Sequence, residues 1–192
     1  MPIAAFLSYI FLTAYTPGPN NIMAMSTAVQ HGFGKAFRFS IGTLFGFVVV
    51  MTACAIFTTT LYAYIPSMEP YLRLLGAGYI LYLAWVIFRS KPKGMEENPD
   101  KACGVVTGML LQCVNVKVII YGLTALSTFV LPHFQDVPRL VFFVLILSLT
   151  GFSGTVCWAL FGSALERLFV KHYRKVNLAL AILLVYCAVS LL

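Results

Sequence analysis

The sequence predicts an all-α integral membrane protein with six transmembrane helices, arranged as a 3+3 inverted-topology repeat. Three observations predict this fold: an apolar composition, six long apolar runs, and an uneven distribution of lysine and arginine between them. Of the 192 residues, 60% are hydrophobic and only 10% are charged, whereas about 25% of the residues of a soluble domain are charged. The mean hydropathy is +0.91. We therefore expect most of the chain to lie in a lipid bilayer.

Each apolar run is long enough to cross a bilayer, which takes roughly 20 helical residues. Glycine, proline and clustered polar residues separate the runs. The runs lie at residues 3–27, 40–65, 70–89, 104–131, 138–163 and 175–192. Because each half of three spans crosses the membrane an odd number of times, two similar halves must insert with opposite orientations.

Only one of the separating stretches resembles a linker, the polar stretch at residues 90–101. We therefore predict a single transmembrane domain over residues 1–192. It is divided into repeat 1 (1–90), a cytoplasmic linker (90–101) and repeat 2 (102–192).

Lysine and arginine predict the orientation, because they accumulate in cytoplasmic loops. Most of them fall in the first, third and fifth connections: Lys35, Arg38, Arg89, Lys91, Lys93, Lys101, Arg167, Lys171, Arg174 and Lys175. The second and fourth connections carry only Arg73 and Arg139. Both termini are therefore expected on the outer side. This topology accounts for the formal charge of +7, and no nucleic-acid partner is predicted.

A helix break is predicted inside span one, at Thr16-Pro-Gly-Pro-Asn-Asn21. Pro17 and Pro19 cannot donate to the carbonyls of Thr13 and Tyr15, and Gly18 permits a bend. Such backbone is tolerated inside a membrane only where it is buried in protein or lines a polar cavity. The half-helix from Asn20 would point its positive end into that cavity, which suits a carboxylate. The freed carbonyls suit an ammonium group.

Span four carries Gln112, Asn115 and Lys117. Lys117 lies roughly 20 Å into this run, and a lysine at such a depth costs about 3 kcal/mol on insertion scales. No aspartate or glutamate lies in any predicted span. The partner of Lys117 is therefore expected to be a neutral group such as Asn20, Asn21 or Asn115, or the anionic group of a substrate.

The first span of each half is thus interrupted, which is the best sequence signal of a secondary transporter site. The predicted binding residues are Thr16, Pro17, Gly18, Pro19, Asn20, Asn21, Gln112, Asn115 and Lys117. Simpler interpretations stay open. Neighbouring helices can satisfy a kink, a lysine can snorkel to the interface, and asparagines can simply join helices.

No catalytic residue, cofactor or metal site is predicted, and the protein is not expected to be an enzyme. The histidines at 31, 133 and 172 are placed in loops, and the five cysteines lack metal-ligand spacing. Small and polar residues of span five, Ser153, Thr155 and Trp158, are more typical of packing than of a pathway. Gly42-x-x-x-Gly46 and Gly104-x-x-x-Gly108 fit close helix packing, within one chain or in a homodimer.

These elements together resemble the LysE/RhtB amino-acid exporter family, from end to end of the chain. The resemblance is carried by Thr16-Pro-Gly-Pro-Asn20, Val114-Asn-Val-Lys117, the run at residues 121–132, Cys157-Trp-Ala159 and the run at residues 184–189. It implies a multi-pass protein of the bacterial inner membrane with periplasmic termini. Its implied function is proton-coupled export of small amino acids and metabolites, such as cysteine or O-acetylserine, by alternating access.

The sequence departs from the commoner pattern of that family at two positions. Many members have aspartate where this chain has Asn20, and many have proline where it has Val116. The first departure removes a titratable carboxylate, and the second removes a proline break from span four. An exporter of the threonine or homoserine type, a channel and a transmembrane thiol shuttle remain as alternatives.

Overall fold

The computed structural model describes residues 1–61, 104–164 and 166–191, together with residues 74, 77, 78, 80–82 and 84–89. All regular structure in these residues is helical, which confirms the predicted all-α class. The elements are α1 (Ile3–Tyr15), α2 (Pro19–His31), α3 (Phe33–Leu61), α4 (Val105–Cys113), α5 (Val116–Thr124), a π-helix (Ala125–Val130), α6 (Val137–Ala164) and α7 (Glu166–Leu191). A further apolar helix covers Ile80–Arg89.

The break in span one is present where the prolines predict it. Helix α1 ends at Tyr15, and α2 begins at Pro19. Proline is favoured at the first position of a helix, because the N–H group that it lacks would have no partner in the helix there. Gly18 between them is extended, with φ near −163°. Each half-helix has only 13 residues.

Span four is also broken, although it contains no proline. Helix α4 and the segment Val116–Val130 meet at an angle of 62°. The break lies at Val114 and Asn115, whose ψ angles of 1° and 97° leave the helical region. Asparagine favours helix ends over helix interiors, and Asn115 is the N-cap of α5. The loss of a proline at Val116 therefore does not remove the break.

Two of the described helices, α3 and α6, are long and apolar enough to cross a membrane, and the bent α4–α5 pair is a third such element. Helix α6 matches the predicted span 138–163 closely. Helix α3 begins at Phe33, before the predicted residue 40, because only Gly32 separates it from α2. Gly32 has φ near +85°, a backbone angle that glycine adopts readily.

Two predicted connections are shorter than expected. The break at Gly32 is present, but Lys35 and Arg38 belong to the first turns of α3, and His31 is the last residue of α2. In the predicted fifth connection, the break is confined to His172, whose backbone leaves the helical region (φ −135°, ψ 32°) and separates two helical segments of α7. Long basic side chains reach the membrane surface from a helix end, so the charges alone did not show where each helix begins.

The remaining sequence expectations fall partly outside the described residues. This holds for the break at residues 66–70, the linker at 90–101 and much of span three. Of the second, third and fourth connections, the described residues thus include mainly the fourth, the turn at 131–136 that contains His133.

Helix α2 is unusual because it is polar and nearly enclosed. All its residues except Met23 are buried, and it packs against α3, α6 and α7. Two apolar clusters flank the break at its start. One joins α2, the beginning of α3 and α7, and the other joins α1, the later part of α3, α5 and α6.

The glycine motifs of spans two and four pack against each other within one chain. A Cβ atom at Gly42 would overlap the backbone of Val105, and one at Gly108 would overlap the carbonyl oxygen of Phe39. These glycines therefore let α3 and α4 approach closely, and they are already used inside the monomer.

We expect Gly108→Ala to lower the apparent thermal midpoint of the protein in detergent, because overpacking of this kind costs about 1 to 3 kcal/mol. Gly34→Ala is the matched control. Gly34 lies on α3, the helix that packs against Gly108, but no atom lies within 4 Å of a Cβ atom at this position. Equal midpoints for the two variants would contradict the close α3–α4 contact.

Candidate functional site

The side chain of Lys117 forms hydrogen bonds with the backbone at the break in span one. Its Nζ donates to the carbonyl oxygens of Thr16 at 2.9 Å and Pro17 at 3.2 Å. These carbonyls follow the C-terminal end of α1, where the helix dipole is negative and favours a cation. The neutral partners expected for Lys117 thus include backbone carbonyls, rather than only the asparagine amides.

Two other donors satisfy the carbonyls at the end of α1. The Asn21 amide donates to Ala14 O at 2.8 Å and to Thr16 O at 3.0 Å. The Trp158 indole donates to Tyr15 O at 3.0 Å. Within a continuous helix this carbonyl would accept from residue 19, but Pro19 has no N–H group. The carbonyls expected to receive a ligand's ammonium group are therefore largely bonded to the protein itself.

Polar residues of α6 support this arrangement. Ser153 Oγ and the Tyr15 hydroxyl lie 3.0 Å apart, and the Thr155 hydroxyl donates to Asn21 Oδ1 at 3.4 Å. A Cβ atom at Gly154 would lie 2.6 Å from the Ala14 carbonyl oxygen, so glycine permits the approach of α1. The residues of span five that the sequence assigned to packing thus hold the break in place.

The N-terminal ends of α2 and α5 converge on the same space. Pro19, Asn20 and Asn21 at the start of α2 line it, together with Asn115 and Lys117 at the start of α5. The first N–H groups of a helix have no partner within that helix. Two positive helix ends and one ammonium group therefore favour an anionic ligand group here.

Asn20 and Gln112 join α2 to α4, with the Asn20 amide donating to Gln112 Oε1. Both side chains are buried, as is Asn115. In the described part of the chain, Asn20 Oδ1, Gln112 Nε2 and Asn115 Oδ1 are buried atoms without a hydrogen-bond partner. Asn115 is an N-cap, yet its side chain makes no capping bond. Such atoms are rare in proteins, and the two oxygens can each accept a further hydrogen bond.

The space enclosed by these groups is a cavity of about 30 Å³, counted as the volume open to the centre of a water molecule. That is room for about two water molecules. An amino acid does not fit into this volume, and we refer to this arrangement as the closed form of the site. The lining residues are Thr13, Ala14, Gly18, Pro19, Asn20, Asn21, Phe47, Asn115, Lys117, Val118, Tyr121 and Gly151.

The structure brings the predicted residues together in different roles. Six of them line the cavity: Gly18, Pro19, Asn20, Asn21, Asn115 and Lys117. Thr16 and Pro17 contribute carbonyls to the lysine, and Gln112 lies behind Asn20. Sequence reasoning missed the others, although the polar groups of Thr13 and Tyr121 within apolar spans were a usable signal.

None of the described histidine and cysteine side chains lines this cavity. His31 is buried at the end of α2 rather than in a loop. Cys54, Cys113 and Cys157 are free thiols. Within the described ranges, no group of three histidine, cysteine or acidic side chains could hold a metal ion.

A membrane-type helical fold in which two broken helices surround a small cavity with polar and apolar lining is typical of a secondary transporter. The family model described as LysE type translocator matches residues 11–192. The chain belongs to this family of membrane translocators, as its sequence motifs indicate.

Two curated relatives carry the name cysteine/O-acetylserine efflux protein. The protein from Salmonella choleraesuis (strain SC-B67) is 46% identical over 100% of this chain and 97% of its own length. The protein from Escherichia coli (strain K12) is 44% identical over 98% of this chain and 96% of its own length. No solved structure matches the chain.

We expect Trp158→Phe to lower the apparent thermal midpoint in detergent, because it removes the hydrogen bond to the Tyr15 carbonyl, and one such bond contributes about 0.5 to 1.5 kcal/mol. Trp85→Phe is the matched control: Trp85 is 55% exposed, and its ring face lies 4.3 Å from the Arg89 guanidinium. A phenylalanine keeps that cation–π contact. Unchanged stability of the Trp158 variant would show that this hydrogen bond does not hold the break.

Proposed function

We propose that this protein is a secondary transporter of the bacterial inner membrane that exports small amino acids and metabolites, of the cysteine and O-acetylserine type, from the cytoplasm. The family and the names of the relatives support this function. The observation that carries it is the Lys117 ammonium at the junction of two broken helices, where it lines a small cavity.

The substrate carboxylate binds between Lys117 and the N-terminal ends of α2 and α5. A carboxylate forms stronger hydrogen bonds with an ammonium group than neutral carbonyls do. Lys117 therefore exchanges its bonds to Thr16 and Pro17 for bonds to the substrate. This exchange releases the contact that joins α5 to the break between α1 and α2.

The substrate ammonium binds the side-chain oxygens of Asn20 and Asn115. The sequence favoured the freed carbonyls of span one for this role, but Lys117, Asn21 and Trp158 bond to them in the closed form. Asn20 and Asn115 offer buried acceptors at the cavity instead. The two charged groups of a zwitterion are then bound side by side where α2 and α5 begin.

Transport requires a change of conformation, because the closed cavity is too small for an amino acid. The paired breaks support a 3+3 inverted repeat whose halves rock about the midplane site, with both termini in the periplasm. A homodimer remains compatible with this plan. It would not use Gly42 and Gly108, which pack inside the chain.

Export is driven by the proton gradient in this proposal. Among the described residues that line the cavity, Lys117 and Tyr121 are the ionisable ones. The coupled proton is therefore carried by Lys117, by a distant group or by the substrate. No cysteine is among these described lining residues, so they offer a thiol shuttle no support at this site.

The function is tested by counterflow in proteoliposomes loaded with cysteine, O-acetylserine, threonine or lysine. We expect saturable exchange of cysteine and O-acetylserine by the wild type. Lys117→Met should lower it at least about tenfold, since a hydrogen bond to a charged group contributes about 1.5 to 3 kcal/mol.

Arg139→Met provides the control for loss of a cation, because the Arg139 side chain is 61% exposed and pairs with Asp136 away from the cavity. This control should exchange substrate like the wild type. Normal exchange by Lys117→Met would show that the lysine is structural, and flux that does not saturate would indicate a channel.

A further inference from the structure

The cavity is lined by both polar and apolar groups. The proposed function assigns the helix ends, Lys117 and the asparagines to the zwitterion. Phe47, Val118 and Gly151 are apolar members of the same lining, and Phe47 and Val118 belong to one apolar cluster. A bound amino acid whose charged groups contact the polar residues leaves its side chain to contact these apolar residues.

Phe47 is fixed in this wall by the helix behind it. It lies on α3, is 5% exposed, and belongs to the apolar cluster that joins α1, α3, α5 and α6. Its ring end rests against the backbone of α6 at Gly151. A Cβ atom at position 151 would lie 2.5 Å from Phe47 Cε1 and 2.7 Å from Cε2. The ring holds its position because residue 151 has no side chain.

We propose that Phe47, positioned by Gly151, forms the end of the subsite for the substrate side chain and limits the size of the amino acid that the protein carries. This inference rests on the proposed function, since it assumes an amino acid in the cavity. It assigns size selection to a contact between α3 and α6, outside the motifs at the helix breaks.

Substitutions on the two sides of this contact should change substrate size in opposite directions. Phe47→Leu removes the ring atoms and deepens the subsite. Gly151→Ala adds a methyl group where the ring lies, and pushes Phe47 toward the cavity. In the double variant the leucine lacks the ring end that the new methyl group would overlap, so it should return toward wild-type selectivity.

The experiment measures counterflow of cysteine, O-acetylserine and leucine by the wild type and these three variants in proteoliposomes. Ratios of rates for two amino acids are compared, so that differences in the amount of active protein cancel. Phe39→Leu is the matched control, because Phe39 is a fully buried phenylalanine of the same helix that does not line the cavity.

We expect Phe47→Leu to raise the ratio of the leucine exchange rate to the cysteine exchange rate about tenfold. This is the lower limit of the discrimination that one methylene group provides in an apolar pocket. Gly151→Ala should lower the ratio of O-acetylserine to cysteine, and the double variant should reverse that change. Phe39→Leu should leave both ratios at the wild-type values.

Unchanged ratios in Phe47→Leu, or the same change in Phe39→Leu, would overturn the inference while leaving the proposed function intact. Failure of the wild type to exchange any amino acid would instead overturn the proposed function. If Gly151→Ala does not reach the membrane, Phe47→Leu and Phe47→Val decide the question by the leucine to cysteine ratio alone.

Discussion

The bond between the Lys117 ammonium and the carbonyls of Thr16 and Pro17 is the interaction on which the rest of the site depends. Inside a membrane, an unpaired lysine costs about 3 kcal/mol on insertion scales, and unpaired backbone carbonyls are also unfavourable. The hydrogen bonds between the ammonium and the carbonyls remove both costs. Because the two groups lie on different halves of the chain, the same bond also joins the halves.

This constraint explains the position of the polar residues around it. Asn21 and Trp158 complete the hydrogen bonding of the break, and Asn20 and Gln112 connect α2 to α4. Apolar clusters lie on both sides, so the polar groups form a layer with a small cavity at its centre. A ligand that enters this layer must compete for bonds that the closed form already makes. Substrate binding and conformational change are therefore coupled in the proposed mechanism.

The sequence predicts the parts of this site that depend on local chemistry. Prolines at 17 and 19 must interrupt a helix, and Lys117 needs a polar partner inside the membrane. Polar residues were predicted to interrupt span four, but the absence of a proline at Val116 was expected to remove the helix break. The break at Asn115 is present nonetheless, since it depends on how α4 and α5 pack.

Packing between distant segments accounts for what the sequence did not predict. The beginnings of α3 and α7 were placed in loops, because their lysines and arginines resemble loop residues although they extend a helix. Phe47 and Gly151 are ordinary residues of apolar spans, and only the approach of α3 to α6 places them at the cavity. No local pattern distinguishes them from lipid-facing neighbours.

The central claim is that Lys117 leaves the carbonyls of the break when substrate binds. The most direct measurement is the ¹⁵Nζ resonance of Lys117 in lysine-labelled protein, assigned by its loss in Lys117→Arg and titrated with cysteine or O-acetylserine. The account predicts a change in this resonance that saturates over the same concentrations as exchange. A resonance that stays constant while exchange saturates would contradict it.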